Sequence, residues 1–431
     1  MCYAIPGKIV EIKGKIGVVD YFGEQKNVLM DFAKAKVGDY VYAQGGLVVN
    51  TISEREALEI LEAWKDMFFA LKKADEKLSV IEDIPASQKL LAILQKVNLG
   101  KPFVKEELLS LLRTSNKDEL RLFYENANNV RQKTHGNACC VHGILEFSNV
   151  CEQNCFYCGI RKGKRLKHYR MSSGEIIGAA RYAAEELGFK ALVLQSGEDS
   201  WYTAEILAPV VEAIRAMGVL VFLSIGSREK ELYKSLYEAG ARAALLRFET
   251  SNEKIFESVR PGTTLKGRLE LIEYLKKLGY VLATGFIVGL PNEREEDVVN
   301  NILLTKSLKP EMYSFGPFIP AAGTPLVKHA LVDKNLLLKV IAIARLADQD
   351  SNILVTTALE TLDKRAKREG MLAGANSLMI NITPRRYKKL YCIYDNRADN
   401  NIAIKKGIKE TIDLLHSLGR APTDLGVHIA R

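Results

Sequence analysis

The sequence predicts an α/β protein: a complete (β/α)8 barrel preceded by a helical segment and a small N-terminal β-barrel (OB-like). Three observations carry this prediction. Eight apolar, β-branched runs recur from residue 140 onward, interleaved with amphipathic stretches of helical period, which is the count such a barrel requires. The runs are continuously apolar, as strands of a parallel sheet covered on both faces must be. Residues 1–52 hold short, closely spaced strand-like segments separated by Gly-containing turns, the pattern of a miniature barrel.

In chain order, the first strands are expected over 8–12, 15–21, 27–32 and 39–52. Ser53-Glu-Arg-Glu56 reads as a capping box ahead of a helix in which Ala57, Leu58, Leu61, Trp64, Phe68 and Leu71 recur at helical spacing. That helix should fold back on the small barrel and run to residue 78, giving a first domain of 1–78. A linker over 79–86 contains Ile84-Pro85, where proline disfavours helix for its predecessor. A second domain, 87–431, opens with a helical prelude over 87–133. Its strands are expected over 140–150, 191–195, 220–225, 243–248, 282–290, 312–319, 353–358 and 376–382. Its helices are expected over 173–187, 204–217, 229–239, 265–278, 293–307, 334–347, 364–372 and 403–418.

Composition excludes more than it identifies. No run of about 18 apolar residues exists to span a membrane, and no aromatic-basic interleaving, helix-turn-helix or zinc-finger spacing favours nucleic acid. Seven cysteines without regular pairing, and no apolar signal peptide, point to a reducing cytoplasm. The net charge of +9 is spread along the chain except over Arg161–Arg170, which holds six Lys or Arg. Such a run is either a solvated loop or a collar for an anionic substrate or an acidic partner.

The chemistry concentrates at Cys151-Glu-Gln-Asn-Cys155-Phe-Tyr157-Cys158, a C-x3-C-x2-C motif at the C-terminal end of the first barrel strand, where active sites of these barrels lie. Structural zinc needs four closed ligands, and no second cysteine pair is near, although His168 is a candidate fourth. A ferredoxin-type cluster needs four cysteines, and Cys2, Cys139, Cys140 and Cys392 are scattered. Three thiolates hold three irons of a [4Fe–4S] cubane and leave the fourth iron open for chemistry. Other strand ends are also polar: Gln195 to Asp199, Ser224 to Gly226, Arg247 to Thr250, and Thr356-Thr357. Singly these are N-caps or turn formers. Around one mouth they suit a ligand with an amine, a carboxylate, hydroxyls and a purine.

With an aromatic residue at Tyr157, the cysteine motif resembles that of radical S-adenosylmethionine (SAM) enzymes. Within that superfamily, residues 87–431 most resemble HydE, the radical enzyme of [FeFe]-hydrogenase maturation. The likeness is carried by EFSNVC (146–151), YCGIR (157–161), YRM (169–171), VLQSGED (193–199), LLRFETSN (245–252), RPGT (260–263), VGLP (288–291), GPFIP (316–320) and VTTALET (355–361). The resemblance implies a [4Fe–4S] cluster on Cys151, Cys155 and Cys158 that cleaves SAM reductively to a 5′-deoxyadenosyl radical. It places Tyr157 near the adenine, Gln195 and Ser196 at the amine, Glu249 as an acceptor, Arg268 at the carboxylate and Ser224 as a further contact. It also implies that Arg247, Met312, Thr356, Thr357, Met379 and Tyr391 line the substrate cavity. Some HydE members carry three extra cysteines near the C-terminus for a second cluster; only Cys392 stands there, so that cluster is expected to be absent. Biotin synthase needs further strand cysteines that this chain lacks.

Met1-Cys2-Tyr-Ala-Ile-Pro6-Gly7-Lys8-Ile9, with Val37-Gly38-Asp39-Tyr40, resembles HypC, the small chaperone of [NiFe]-hydrogenase maturation. This implies that Cys2, freed by removal of Met1, is a soft ligand for an iron fragment. HypC has a histidine in the strand after the G-D pair, where this chain reads Ala43-Gln44-Gly45-Gly46. The expected function is a radical enzyme of hydrogenase cofactor maturation acting on a sulfur-containing or organometallic iron precursor. Expected partners are other maturation proteins and a reductant protein such as ferredoxin or flavodoxin. The alternatives are a methylornithine-synthase-like reaction on a small amino-acid-like substrate, and a non-catalytic maturation scaffold.

Overall fold

A computed structural model describes residues 5–30 and 34–423. Five short strands, Gly7–Lys13, Ile16–Tyr21, Glu24–Leu29, Tyr40–Gln44 and Leu47–Ile52, close into a small barrel when the first pairs with the fourth. The single strand expected over 39–52 is a hairpin. Gly45 and Gly46 both have positive φ (54° and 77°), the conformation of a tight hairpin turn that only glycine adopts without strain. The helix Glu54–Leu78 follows, and its Trp64, Phe68 and Leu71 pack with Ile9, Val19, Tyr21, Val28 and Val41 of the small barrel. Ser53 caps it by accepting from the Glu56 amide, but no reciprocal bond from the Glu56 carboxylate accompanies it; that carboxylate acts electrostatically on Tyr42 and Lys190 instead.

Three helices, Gln88–Asn98, Lys105–Arg113 and Lys117–His135, lead into eight parallel strands: Ala138–Ser148, Ala191–Ser196, Leu220–Ser224, Ala243–Leu245, Val281–Thr284, Met312–Tyr313, Asn352–Ile353 and Ser377–Asn381. The ring closes where Leu354 bridges Ser377 and the Val355 amide donates to Ser377 O. The expected fifth and sixth strands are each split. Their upper halves, Ile287–Val288 and Gly316–Pro317, pair separately above the ring, past Gly285, where a Cβ would lie 2.3 Å from Ser314 O. The strand expected over 353–358 ends early because Thr357–Leu362 is already helical, so Thr356 and Thr357 sit at a helix start. No helix among the described residues is long and apolar enough to cross a membrane.

The small barrel stoppers the floor of the large one. Leu47 and Val49 pack among Ala191, Val193, Leu220, Phe222 and Ala243, which line the N-terminal part of the large barrel, and Gly45 lies against Leu220. A buried ion cluster ties the same regions together. Arg131 of the prelude holds Asp75 with two bonds (2.7 and 2.8 Å), and Arg420 reaches the same carboxylate at 2.8 Å, all three side chains being nearly inaccessible. Removing three charges from water costs several kcal/mol per ion, so this arrangement persists only because Asn128 and Ser79 also accept from the guanidiniums.

Candidate active site

The cysteine loop leaves the first strand at Val150 and is pinned by backbone bonds from many elements. Glu152 N donates to Glu198 O, Phe156 N to Val259 O, Gly159 N to Ile393 O and Ala321 N to Tyr157 O, each at 2.8–3.0 Å. Two glycines make the fit possible: a Cβ on Gly159 would lie 2.0 Å from Cys392 O, and one on Gly197 would lie 2.2 Å from Val150 O. Cys151, Cys155 and Cys158 all face one cavity of about 310 Å³ at the C-terminal mouth. Cys151 Sγ accepts from the Glu198 amide at 3.4 Å. Burial pushes the Cys151 thiol up to about 11 and raises Cys155 and Cys158 as well. Buried thiols of this kind become thiolates only beside strong positive charge, such as bound iron. Among the described residues no three Cys, His, Asp or Glu side chains converge on a single-ion position, and His168 is exposed. A closed mononuclear zinc site is therefore not formed.

Next to the cysteines lies an unusual concentration of charge. Arg268 and Arg260 approach Glu198 at 3.5 and 3.6 Å, and Arg260 and Arg247 approach Glu249 at 3.8 and 3.3 Å. Glu198 Oε2, Glu249 Oε2, Arg260 Nε and Thr356 Oγ1 are buried without a hydrogen-bond partner. Such orphaned groups are costly. Glu249 also has φ of +68°, a left-handed conformation that strains a non-glycine residue. Burial, followed by the neighbouring Arg260, lowers the Arg268 pKa. Ser224 Oγ donates to Gln195 Oε1 at 3.4 Å, Ser196 Oγ turns to Gly197 O, and Arg260 donates to the Tyr157 hydroxyl at 3.4 Å.

Tyr157, Gln195, Ser196, Ser224, Glu249 and Arg268 all line this cavity, as do Arg247, Thr356, Thr357, Met379 and Tyr391. Met312 does not. Its strand begins at the floor, in register with Ala283 and Asn352, so its side chain packs with Cys140, Ala283 and Leu354 and borders a separate cavity of about 290 Å³ beneath the Gly45–Gly46 turn. Cys2 lies outside the described residues. Sequence reasoning did not assign Glu198, Arg260, Tyr394 or Arg397, which also line the mouth. Arg397 pairs with the fully buried Glu146 at 2.7 Å and donates to Tyr391 O. Glu198 and Arg260 lie in the VLQSGED and RPGT stretches and the partner of Arg397, Glu146, in EFSNVC, while Tyr394 and Arg397 fall in no motif.

Residues 145–304 match the radical SAM superfamily, residues 1–64 the HupF/HypC family, and residues 314–420 the Biotin and Thiamin Synthesis associated domain. The [FeFe] hydrogenase maturase subunit HydE of Thermotoga maritima is 38% identical over 334 residues, covering 77% of this chain and 94% of that protein. The chain belongs to the HydE family of radical SAM enzymes. A 3-methylornithine synthase of Methanosarcina acetivorans is 28% identical over 76% of this chain and 93% of its own length. Among solved structures, methylornithine synthase (TM-score 0.67, 23% identity, 77% of this chain and 97% of that one) and the maturase HydG (TM-score 0.67, 20% identity, 83% and 78%) share the fold.

As a radical SAM enzyme the HydE-family chain uses a [4Fe–4S] cluster and SAM. The residues present fit both groups. Three thiols facing one cavity, one buried and two half-buried, with the neighbouring Cys392 thiol turned away to Lys389 O, suit a cluster with one open iron. The unpartnered carboxylate and guanidinium atoms suit a ligand that carries both an ammonium and a carboxylate.

Proposed function

We propose that this chain acts in hydrogenase active-site maturation, on a sulfur-containing or organometallic iron precursor bound in the cavity below the cysteine loop. The observation that carries this reading is the match to HydE across 94% of that protein, together with a cavity that joins the cysteines to the inner residues Arg247, Thr356, Thr357, Met379 and Tyr391. Cys151, Cys155 and Cys158 would hold the cluster. When bound, the cluster supplies one electron to the sulfonium of SAM, cleaving the S–C5′ bond to methionine and a 5′-deoxyadenosyl radical. Glu249 and Glu198 offer acceptors to the ammonium, Arg268 and Arg260 offer cations to the carboxylate, and Gln195, Ser196 and Ser224 border the same end. Tyr157, edge-on to Phe318 with ring centroids 5.8 Å apart, presents an apolar face for the adenine. Arg247, only partly exposed, and the Thr356–Thr357 helix start give the precursor one cation and two hydroxyls.

Residues 1–78 serve in this reading as the module that meets other maturation proteins, with Cys2 as the ligand for an iron fragment, and residues 87–431 as the catalytic unit. Gln44, which stands where HypC has a histidine, is fully buried with both amide atoms unpartnered. A second reading, a radical reaction on a small amino-acid-like substrate, is favoured by the equal coverage of 3-methylornithine synthase but at lower identity. Anaerobic reconstitution with iron and sulfide, followed by reduction with SAM, should yield 5′-deoxyadenosine. A full cluster complement without that product would overturn both enzymatic readings in favour of a scaffold. Product formation stimulated by a candidate amino acid, and not by a sulfur-containing or organometallic iron precursor, would decide for the second.

A further inference from the structure

The basic run Arg161–Arg170 has no part in the cavity chemistry beyond its ends, where Arg161 stacks on Phe156 and Arg170 pairs with Asp199. Between them Lys162, Arg165, Lys167 and His168 are exposed, and Lys164 reaches Ala322 O at 2.7 Å. Among the described residues Lys162, Arg165 and Lys167 have no carboxylate partner.

This segment lies directly on the cysteine loop. The Arg161 amide donates to Cys158 O, the Lys162 amide to Gln153 O, and the Gly163 amide to Asn154 Oδ1. A second segment carrying exposed Lys389 lies beside it, because the Asn149 amide group donates to both Lys167 O and Leu390 O at 2.9 Å. Two acids on these segments, Asp395 and Glu152, accept from the Ala322 amide and from Ser200 rather than from these cations. The segment hydrogen-bonded to the cysteine loop and its neighbour thus carry four exposed positive side chains without an ion-pair partner among the described residues.

We propose that this collar, Lys162, Arg165, Lys167 and Lys389, is the docking surface for a small acidic one-electron carrier protein that reduces the cluster. This rests on the radical reading above. Each SAM cleavage consumes one electron, taken from the reduced carrier, which leaves oxidised by one. Unpaired surface charges of one sign, within a screening length of about 10 Å of each other, raise encounter rates with an oppositely charged partner by about 10–10³-fold at low salt. Nucleic acid fits less well, because the exposed aromatic ring at the end of the run, Trp201, is already covered by Arg170.

The test uses full-length enzyme carrying Lys162→Glu, Arg165→Glu and Lys167→Glu together: flavodoxin binding to the cluster-free chain is read by titration calorimetry and should weaken about tenfold at low salt, and 5′-deoxyadenosine is read from the reconstituted enzyme with reduced flavodoxin or dithionite. The flavodoxin-driven rate should fall about tenfold or more at low salt and lose its salt dependence, while the rate at saturating dithionite stays at the wild-type value. A graded loss in the corresponding Gln triple variant should follow the charge removed. An unchanged flavodoxin rate overturns the proposal. So does salt-dependent binding of a single-stranded RNA that the triple variant loses without any change in flavodoxin rate. No product from wild type with dithionite overturns the radical reading itself.

Discussion

The two ends of the large barrel are built from the same strands and are opposite in character. At the C-terminal mouth, buried carboxylates and guanidiniums lie next to three thiols, several of their polar atoms lack partners, and Glu249 holds a strained backbone. At the floor, the small domain's hairpin packs Leu47 and Val49 into apolar side chains, and the charged groups nearby, Asp75, Arg131 and Arg420, are paired with one another. At the mouth, half-paired charges and a strained backbone gather in one cavity where a ligand can complete them, whereas at the floor ion pairing and apolar packing hold the fold, with the Gln44 amide as an unpartnered group. The mouth is organised for binding and the floor for stability.

The contrast can be broken in stated ways. Cys158→Ala should reduce 5′-deoxyadenosine formation to background and lower bound iron while leaving the melting profile of the metal-free chain near wild type; iron and product determinations with calorimetry read this out. Asp75→Asn should do the reverse, leaving two guanidiniums buried without a counter-charge and costing about 3–5 kcal/mol in urea unfolding. Arg268→Gln should weaken SAM binding about 10–100-fold, as the loss of a charged hydrogen bond does, with unfolding free energy little changed. Gly45→Val, which sets a Cβ 2.8 Å from Leu220 at φ +54°, should destabilise by about 1–3 kcal/mol while SAM cleavage stays near wild type.

The smallest effect concerns a carboxyl outside the cysteine cavity. Burial pushes Glu293 up to about 7. Its folded pKa exceeds its unfolded one, so the stability linked to its proton is complete below the ordinary value of about 4.5 and is lost as pH rises through about 7. Glu293→Gln should flatten the pH dependence of stability in that window by up to about 2 kcal/mol, read from urea melts at several pH values.

The eight strands and their helices were legible because period and β-branching are local properties. Two errors were also local: the Gly45–Gly46 pair turns one expected strand into a hairpin, and Thr357 starts a helix inside another. The site was legible where a motif fixes spacing, at the cysteines, and at the strand ends that meet the mouth. Met312 was misplaced because a short strand gives no sign of its height along the barrel axis, and only its register with Ala283 shows it. Glu198 and Arg260 escaped because they are 62 residues apart in sequence and are joined only by folding. The seating of the small domain under the barrel was equally invisible, since each half reads as a complete unit.

That seating sets a route. The Gly45–Gly46 turn and the cysteine loop lie at opposite ends of the barrel, and between the cavities they border, Met312, which lines the lower one, packs with Leu354 and Met379, which line the upper one. A ligand moving between the two cavities along the axis would meet Met312 and Met379, two flexible thioethers that can change rotamer.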